Sequence, residues 1–88
     1  MIRYRVVVWG RVQGVFFRDT VRRAAEAAGV AGWVRNNPNG TVEAVLEGET
    51  DAVDRIVRLC RTGPRGAQVD RVAVSSESPE GLTGFAVR

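Results

Sequence analysis

The segment at residues 10–19, GRVQGVFFRD, is the part of the sequence best suited to hold an anion. Gly10 and Gly14 bracket a turn between a strand-like segment and a helix-like one. Glycines let several backbone N–H groups converge on one point, because no side chain stands in the way. The N–H groups and dipole at the start of a helix add to the attraction for negative charge. This spacing therefore indicates a possible phosphate-binding loop.

Arg18 lies at the start of the helix-like segment, where the helix dipole disfavours a positive charge by about 0.3–1 kcal/mol. A bound phosphate would compensate for this cost, since a guanidinium group can donate two charge-assisted hydrogen bonds to it. The alternative is an ordinary turn followed by a surface arginine. This segment alone does not decide between the two.

The second segment of interest is GWVRNNPNG, at residues 32–40. Residues 37–40 fit a type I turn, with asparagine first, proline second and glycine fourth. That turn does not need Asn36, which ends the preceding strand-like segment. A neutral amide both donates and accepts hydrogen bonds, so Asn36 is a candidate for holding a water molecule. The alternative is that Asn36 closes the hairpin through its own side chain.

The composition excludes several kinds of catalysis. The chain has no histidine and no lysine, and all 13 of its basic residues are arginines. A Ser-His-Asp triad, an imidazole metal ligand, a lysine Schiff base and a Walker A lysine are therefore all ruled out. The net charge of +3 favours anionic partners in a general way.

Cys60, Asp51 and Asp54 are explained by structure rather than chemistry. Cys60 lies on the apolar stripe of the second predicted helix, and the residue six places later is Gly66 instead of the arginine of a phosphatase Cys-x5-Arg loop. We therefore expect a core thiol. The two aspartates lie near a predicted helix start, where they serve as caps and dipole partners. The prediction is an enzyme or binding protein with no metal site and no cofactor.

Hydrophobic periodicity predicts the elements that position the two segments. The predicted strands cover residues 2–12, 30–36, 40–47, 71–75 and a short edge strand at 84–87. The predicted helices cover 17–28 and a segment that begins at a cap, Thr50 or Asp51, and ends near 61. Each strand has one apolar face, so both helices must cover the same side of the sheet. The prediction is an α+β, ferredoxin-like βαββαβ sandwich with a mixed, largely antiparallel sheet, formed by a single domain over residues 1–88.

The two segments and their spacing closely resemble the two signature motifs of the acylphosphatase family. The resemblance covers nearly the whole chain, including its length, its βαββαβ order and the closing GFAVR. It implies hydrolysis of the carboxyl–phosphate bond of acyl phosphates to a carboxylate and inorganic phosphate. Arg18 matches the arginine that holds the phosphate, and Asn36 matches the asparagine that orients the attacking water. Asn39 is the nearest departure, at a position where an acidic residue or arginine is common.

The resemblance also implies a phosphate cradle formed by Arg18 and a run of backbone groups before it. These are the backbone groups of Gln13, Gly14, Val15, Phe16 and Phe17. Because a carboxylate is a good leaving group, positioning and electrostatics can carry most of the catalysis without a strong general acid. The partners implied are small acyl phosphates and inorganic phosphate.

Two rival functions use other features of the sequence. Trp9 and Trp33, with arginines at 3, 5, 11 and 71, lie on the sheet face that the helices leave uncovered, and such faces can bind single-stranded RNA. Against this, no strand has the paired aromatic pattern of an RNA-recognition motif, and Glu43 and Glu47 add negative charge. A phosphate sensor without turnover is the other alternative, but it would not need both Arg18 and Asn36. The prediction is therefore an enzyme that binds no nucleic acid.

The sequence also bears on location. No apolar run approaches the length of a membrane span, and the first residues lack the separate basic and apolar blocks of a signal peptide. A single cysteine cannot form an internal disulfide, which fits a reducing compartment. We therefore expect a cytoplasmic protein that does not associate with a membrane, and we take a monomer as the default state.

Overall fold

The third strand along the chain lies at the centre of the sheet. Its residues are apolar on the face that the helices cover, and its residues on the opposite face are also buried from solvent. A computed structural model of the protein describes residues 1–88. The strands are β1 (Ile2–Arg11), β2 (Ala31–Asn36), β3 (Val42–Gly48), β4 (Gln68–Glu77) and β5 (Phe85–Val87). The helices are α1 (Phe17–Ala28) and α2 (Thr50–Thr62). All seven residues of β3 are buried.

The sheet order is β4-β1-β3-β2-β5, antiparallel except for the parallel pair of β2 and β5. Both helices pack on one face, where Val21 of α1 and Ile56 of α2 join the core formed by Val6, Leu46 and their neighbours. The predicted ferredoxin-like fold is therefore confirmed. Neither helix is long and apolar enough to cross a bilayer.

The register of β3 places the two motifs side by side. β1 and β2 both run antiparallel to β3, so they run parallel to each other. Their C-terminal ends therefore lie at the same end of the sheet. Val42, the first residue of β3, lies opposite Val8 of β1 and opposite Asn36 of β2. The loop that follows β1 therefore begins next to the end of β2.

Gly32 is required where β2 and β3 come close together. It has a φ of 138°, and a Cβ atom added there would lie 1.8 Å from the backbone oxygen of Val45. No side chain fits at that distance, so this glycine of the second motif serves the sheet and not the chemistry.

Two predicted details of the elements were wrong. Neither Thr50 nor Asp51 caps α2, because the helix already includes Thr50 and its N-cap is Glu49, which makes no side-chain capping bond. Asp51 lies in the first turn, where the helix dipole favours its negative charge. β4 is twice as long as the predicted segment 71–75, because it pairs with β1 along almost its whole length. Val74 lies opposite Val6 on the helix side of the sheet, but it is 36% exposed because β4 is an edge strand.

The sheet face opposite the helices is covered, although the sequence suggested that it would be open. Trp33 is only 7% exposed, and the guanidinium groups of Arg5, Arg35 and Arg88 lie 4.5–5.5 Å from the centre of its ring. Trp9 is covered in the same way, with the guanidinium group of Arg71 4.2 Å from its ring centre. Neither tryptophan of this face is left bare for stacking on a base, so the RNA-binding alternative is not supported.

Glu47 is the most deeply buried carboxylate of this face, at 1% exposed. It accepts hydrogen bonds from the backbone N–H groups of Glu80 and Leu82 at 2.7 and 2.6 Å, which attaches the segment between β4 and β5 to the sheet. The hydrogen bond from Glu80 lowers the pKa of Glu47 and outweighs the opposing effect of burial. The neighbouring Glu77 also has a lowered pKa, because Arg5 and Arg3 donate hydrogen bonds to it.

These carboxylates predict the direction of acid denaturation. A carboxylate whose pKa is lower in the folded than in the unfolded state stabilises the fold above its unfolded pKa, about 4.3 for Glu. That stability is lost as the pH falls through the folded pKa. We expect the melting temperature to drop below about pH 4.3 and Glu47→Gln to flatten this drop, since it removes one such carboxylate.

At neutral pH, Glu47→Gln should melt lower than the wild type, because an amide offers one acceptor oxygen where the loop needs two. The control is Asp70→Asn, which alters an exposed carboxylate of β4 that makes no ion pair and should leave the melting curve unchanged across the pH range. Identical acid profiles for the wild type and Glu47→Gln would contradict the assignment. Thermal denaturation between pH 3 and 7 provides the measurement.

Candidate active site

The loop between β1 and α1 presents a row of free backbone N–H groups. Gly14 and Phe16 both have left-handed backbone conformations, with φ values of 73° and 64°. Phe16 is the only residue other than glycine with a positive φ. None of the N–H groups from Gln13 to Phe16 donates a hydrogen bond within the protein. The first N–H groups of α1 have no intrahelical acceptor either, so the loop and the helix start together offer a set of donors suited to an anion.

The side chain of Gln13 connects this loop to the β2–β3 hairpin. Its Nε2 atom donates hydrogen bonds to the carbonyl oxygens of Asn37 and Thr41, at 2.8 and 3.0 Å. The sequence had suggested Gln13 only for its backbone, and this bridging role was missed. A polar side chain next to the glycine of the loop was the available signal, but its partners are 24 and 28 residues away in the sequence.

A pocket of about 440 Å³ lies where the loop, the start of α1, the end of β2 and β5 meet. Arg18 and Asn36, predicted from separate motifs, both line it. Gln13 and Val15 do not, because Gln13 reaches the hairpin and Val15 packs against the core. The lining residues are Val12, Gly14, Phe16, Phe17, Arg18, Asp19, Asn36 and Val87. Val12, Asp19 and Val87 were not predicted.

Arg18 has no carboxylate partner in the protein. The nearest acidic residue in the chain, Asp19, is bound instead by Arg22 at 2.7 Å and Arg23 at 3.0 Å. The hydrogen bond from Arg22 lowers the pKa of Asp19. Asp19 lies in the first turn of α1 and offsets part of the dipole there. The guanidinium group of Arg18 thus remains available to an anion in the pocket.

Asn36 and its neighbour Asn37 have different surroundings. The Nδ2 atom of Asn37 donates to Thr41 Oγ1 at 3.0 Å and to Glu43 Oε1 at 3.1 Å, and Gly40 N donates to the Asn37 carbonyl at 3.1 Å. Asn37 therefore closes the hairpin. The Oδ1 atom of Asn36 is buried and has no hydrogen-bond partner. The alternative that Asn36 closes the hairpin is therefore not supported. The Oδ1 atom of Asn36 can be satisfied only by a hydrogen-bond donor from outside the protein.

Other candidate chemistry is absent from the pocket. Cys60 is buried in the core, and burial raises the pKa of its thiol to about 12, so it is not a thiolate nucleophile. No three side chains among His, Cys, Asp and Glu are grouped so that they could hold a metal ion.

Comparison with known proteins identifies the family. The family model described as acylphosphatase matches residues 4–87. The chain belongs to the acylphosphatase family. It is 59% identical over 87 residues to the acylphosphatase of Rubrobacter xylanophilus, an alignment that covers 98% of this chain and 79% of the relative. It is 55% identical over 86 residues to the acylphosphatase of Gloeobacter violaceus, covering 98% and 92%.

The solved structures agree with this assignment. The crystal structure of acylphosphatase from Bacillus subtilis matches with a TM-score of 0.96 and 37% identity, covering 100% of this chain and 99% of that one. Acylphosphatases hydrolyse acyl phosphates, and the chain is an enzyme of this class. The predicted hydrolase activity is therefore confirmed, and the alternative of a sensor without turnover is not supported.

The two asparagines should respond differently to removal of their side chains. Asn37→Ala should lower the free energy of unfolding by about 1–3 kcal/mol, because it deletes two hydrogen bonds, one of them to a charged group. Asn36→Ala should change it by less than about 0.5 kcal/mol, or raise it, because it removes a buried acceptor that has no partner. Urea denaturation of the two variants measures the difference, and a larger loss for Asn36→Ala would show that Asn36 is the structural residue.

Proposed function

We propose that this pocket binds the phosphoryl group of an acyl phosphate through Arg18 and the backbone cradle, and that Asn36 orients the attacking water. The observation that carries the proposal is the buried, unpartnered Oδ1 atom of Asn36 in the same pocket as an unpaired guanidinium group. An acceptor in that position suits a water O–H, and a cation suits the phosphoryl oxygens. The backbone groups of the cradle are those of Gln13, Gly14, Val15, Phe16 and Phe17.

The proposed reaction is an in-line displacement at phosphorus. The water donates a hydrogen bond to Asn36 Oδ1, which directs a lone pair of the water oxygen at the phosphorus atom. The new O–P bond forms as the P–O bond to the acyl group breaks, and the carboxylate departs with that electron pair. Arg18 and the N–H groups stabilise charge on the phosphoryl oxygens throughout. A phosphoryl oxygen of the substrate accepts the proton of the water, which gives inorganic phosphate.

We further propose that residues 1–88 act as one domain and as a monomer in the cytoplasm. All the helices and strands contribute to one core on one face of a single sheet, which supports a single unit. The only cysteine is buried and free, which is compatible with a reducing compartment.

The role of Asn36 is tested by Asn36→Ala, assayed with benzoyl phosphate in buffer containing EDTA. We expect kcat to fall by roughly 10²-fold or more, as for the loss of one well-placed catalytic group, while competitive inhibition by inorganic phosphate persists. Asn37→Ala is the matched control, since it removes an identical side chain from the adjacent position. At a temperature where both variants are folded, its kcat should fall by less than about tenfold. Near-normal turnover by Asn36→Ala would refute the proposed role.

The role of Arg18 is tested by phosphate-dependent stability. Inorganic phosphate at 100 times its Kd should stabilise the wild type by about 2.7 kcal/mol. Arg18→Gln should lose this protection, yet without phosphate it should be as stable as the wild type or slightly more so, since the helix dipole disfavours the charge it removes. Arg18→Lys should recover little, because an ammonium group cannot donate the two parallel hydrogen bonds.

The control for that series is Arg55→Gln, which removes the same charge from an exposed position on α2 that makes no ion pair. It should retain full protection by phosphate. Melting curves at fixed ionic strength compare the four proteins. Equal protection of the wild type and Arg18→Gln would place the anion elsewhere.

A further inference from the structure

Large apolar side chains are exposed at only four positions in the chain, and two of them lie on the pocket. Phe16 is 82% exposed and Val87 is 44% exposed, and both line the pocket that contains Arg18 and Asn36. Met1 and Val74 are the other two, and neither contributes to the pocket. Exposed apolar groups around a polar site indicate that part of the ligand is apolar.

The side chain of Phe16 is held at the pocket at a cost to the backbone. Its left-handed conformation costs about 1–2 kcal/mol for an ordinary residue, and glycine or asparagine would adopt it more readily. The backbone of the cradle does not need an aromatic side chain at this position. The cost is offset when the ring contributes binding energy of its own.

Val87 reaches the pocket from a different element. It lies in β5 opposite Val34, and the N–H of the next residue, Arg88, donates to the Val34 carbonyl at 2.9 Å. The wall that Val87 forms is therefore attached to the sheet beside Asn36. Below Phe16 and Val87, the buried side chains of Val12 and Phe17 extend the apolar lining.

We propose that Phe16 and Val87 form a subsite for the acyl group, and that the enzyme favours acyl phosphates with an alkyl or aryl chain over those with a small or polar one. This inference rests on the proposed function of the pocket, in which the cradle holds the phosphoryl group. The phosphoryl group then occupies the cradle beside Arg18, and the acyl chain extends along Phe16 and Val87. The subsite takes no part in the bond-making and bond-breaking steps. It adds binding energy in proportion to the apolar area of the acyl chain that Phe16 and Val87 cover.

The test compares kcat/KM for acetyl, butyryl and hexanoyl phosphates. Their leaving carboxylates have nearly the same basicity, so differences report contacts of the chain. A fully buried methylene is worth up to about fourfold, and a half-exposed contact should give about twofold for each methylene. We therefore expect hexanoyl phosphate to exceed acetyl phosphate by about tenfold or more in the wild type. Similar kcat/KM values across the series would overturn the subsite.

The variants are Phe16→Asn, Val87→Ser and the control Val74→Ser. Asparagine tolerates the left-handed conformation, so Phe16→Asn removes the ring without reshaping the loop. We expect the hexanoyl-to-acetyl ratio to fall at least threefold in Phe16→Asn and Val87→Ser. Val74→Ser alters a valine of similar exposure, 36% against 44% for Val87, that lies away from the pocket, and it should keep the ratio of the wild type. Equal ratios in all four proteins would contradict the assignment to Phe16 and Val87.

Binding of methyl-, butyl- and hexylphosphonate separates this inference from the catalytic roles. These anions cannot be hydrolysed, so their Kd values report the cradle and the subsite without turnover. Tighter binding with chain length that is lost in Phe16→Asn supports the subsite, even if Asn36→Ala proves fully active. Binding independent of chain length overturns the subsite, even if Asn36 and Arg18 behave as proposed.

Discussion

The register of β3 against its two neighbours is the constraint on which the site depends. Val42 at the start of β3 pairs with Val8 on one side and with Asn36 on the other. A shift of one residue in either pairing would turn Asn36 to the opposite face of the sheet or separate it from the loop after β1. The Gln13 side chain then fixes the distance locally, because it bonds to two carbonyl groups of the hairpin. The loop after β1 and the amide of Asn36 are thus held by rigid strands and by one side chain.

Local costs are concentrated in this pocket. Phe16 has an unfavourable backbone conformation, Arg18 opposes the dipole of α1, and Asn36 has a buried acceptor without a partner. Each feature is unfavourable by itself, and each is accounted for by the proposed binding of a phosphoryl group with a water beside it. Outside the pocket, the one buried side-chain polar atom without a hydrogen bond is Nη1 of Arg3, which lies near the carboxylates of Glu47 and Glu80. The coincidence of the three costs is a stronger indication of a binding site than any of them alone.

Arginine performs two different tasks in this protein, which contains no lysine. On the face opposite the helices, Arg3 and Arg5 bind the carboxylate of Glu77, and other guanidinium groups cover Trp33. There a planar guanidinium group can pack on an aromatic ring and donate hydrogen bonds at the same time. At the pocket, Arg18 remains without an acidic partner because its neighbour Asp19 is bound by Arg22 and Arg23.

Local sequence determined the order of the elements and the side of the sheet that carries the helices, and it singled out Arg18 and Asn36, which line one pocket. These features follow from periodicities of 2 and 3.6 residues and from short motifs, which depend on near neighbours in the chain. Only the tertiary structure decided the burial of Glu47, the length of β4 and the pocket-lining positions of Asp19 and Val87. Each of these depends on partners far away in the sequence, because an edge strand is extended by pairing and a carboxylate is buried when a distant loop donates to it.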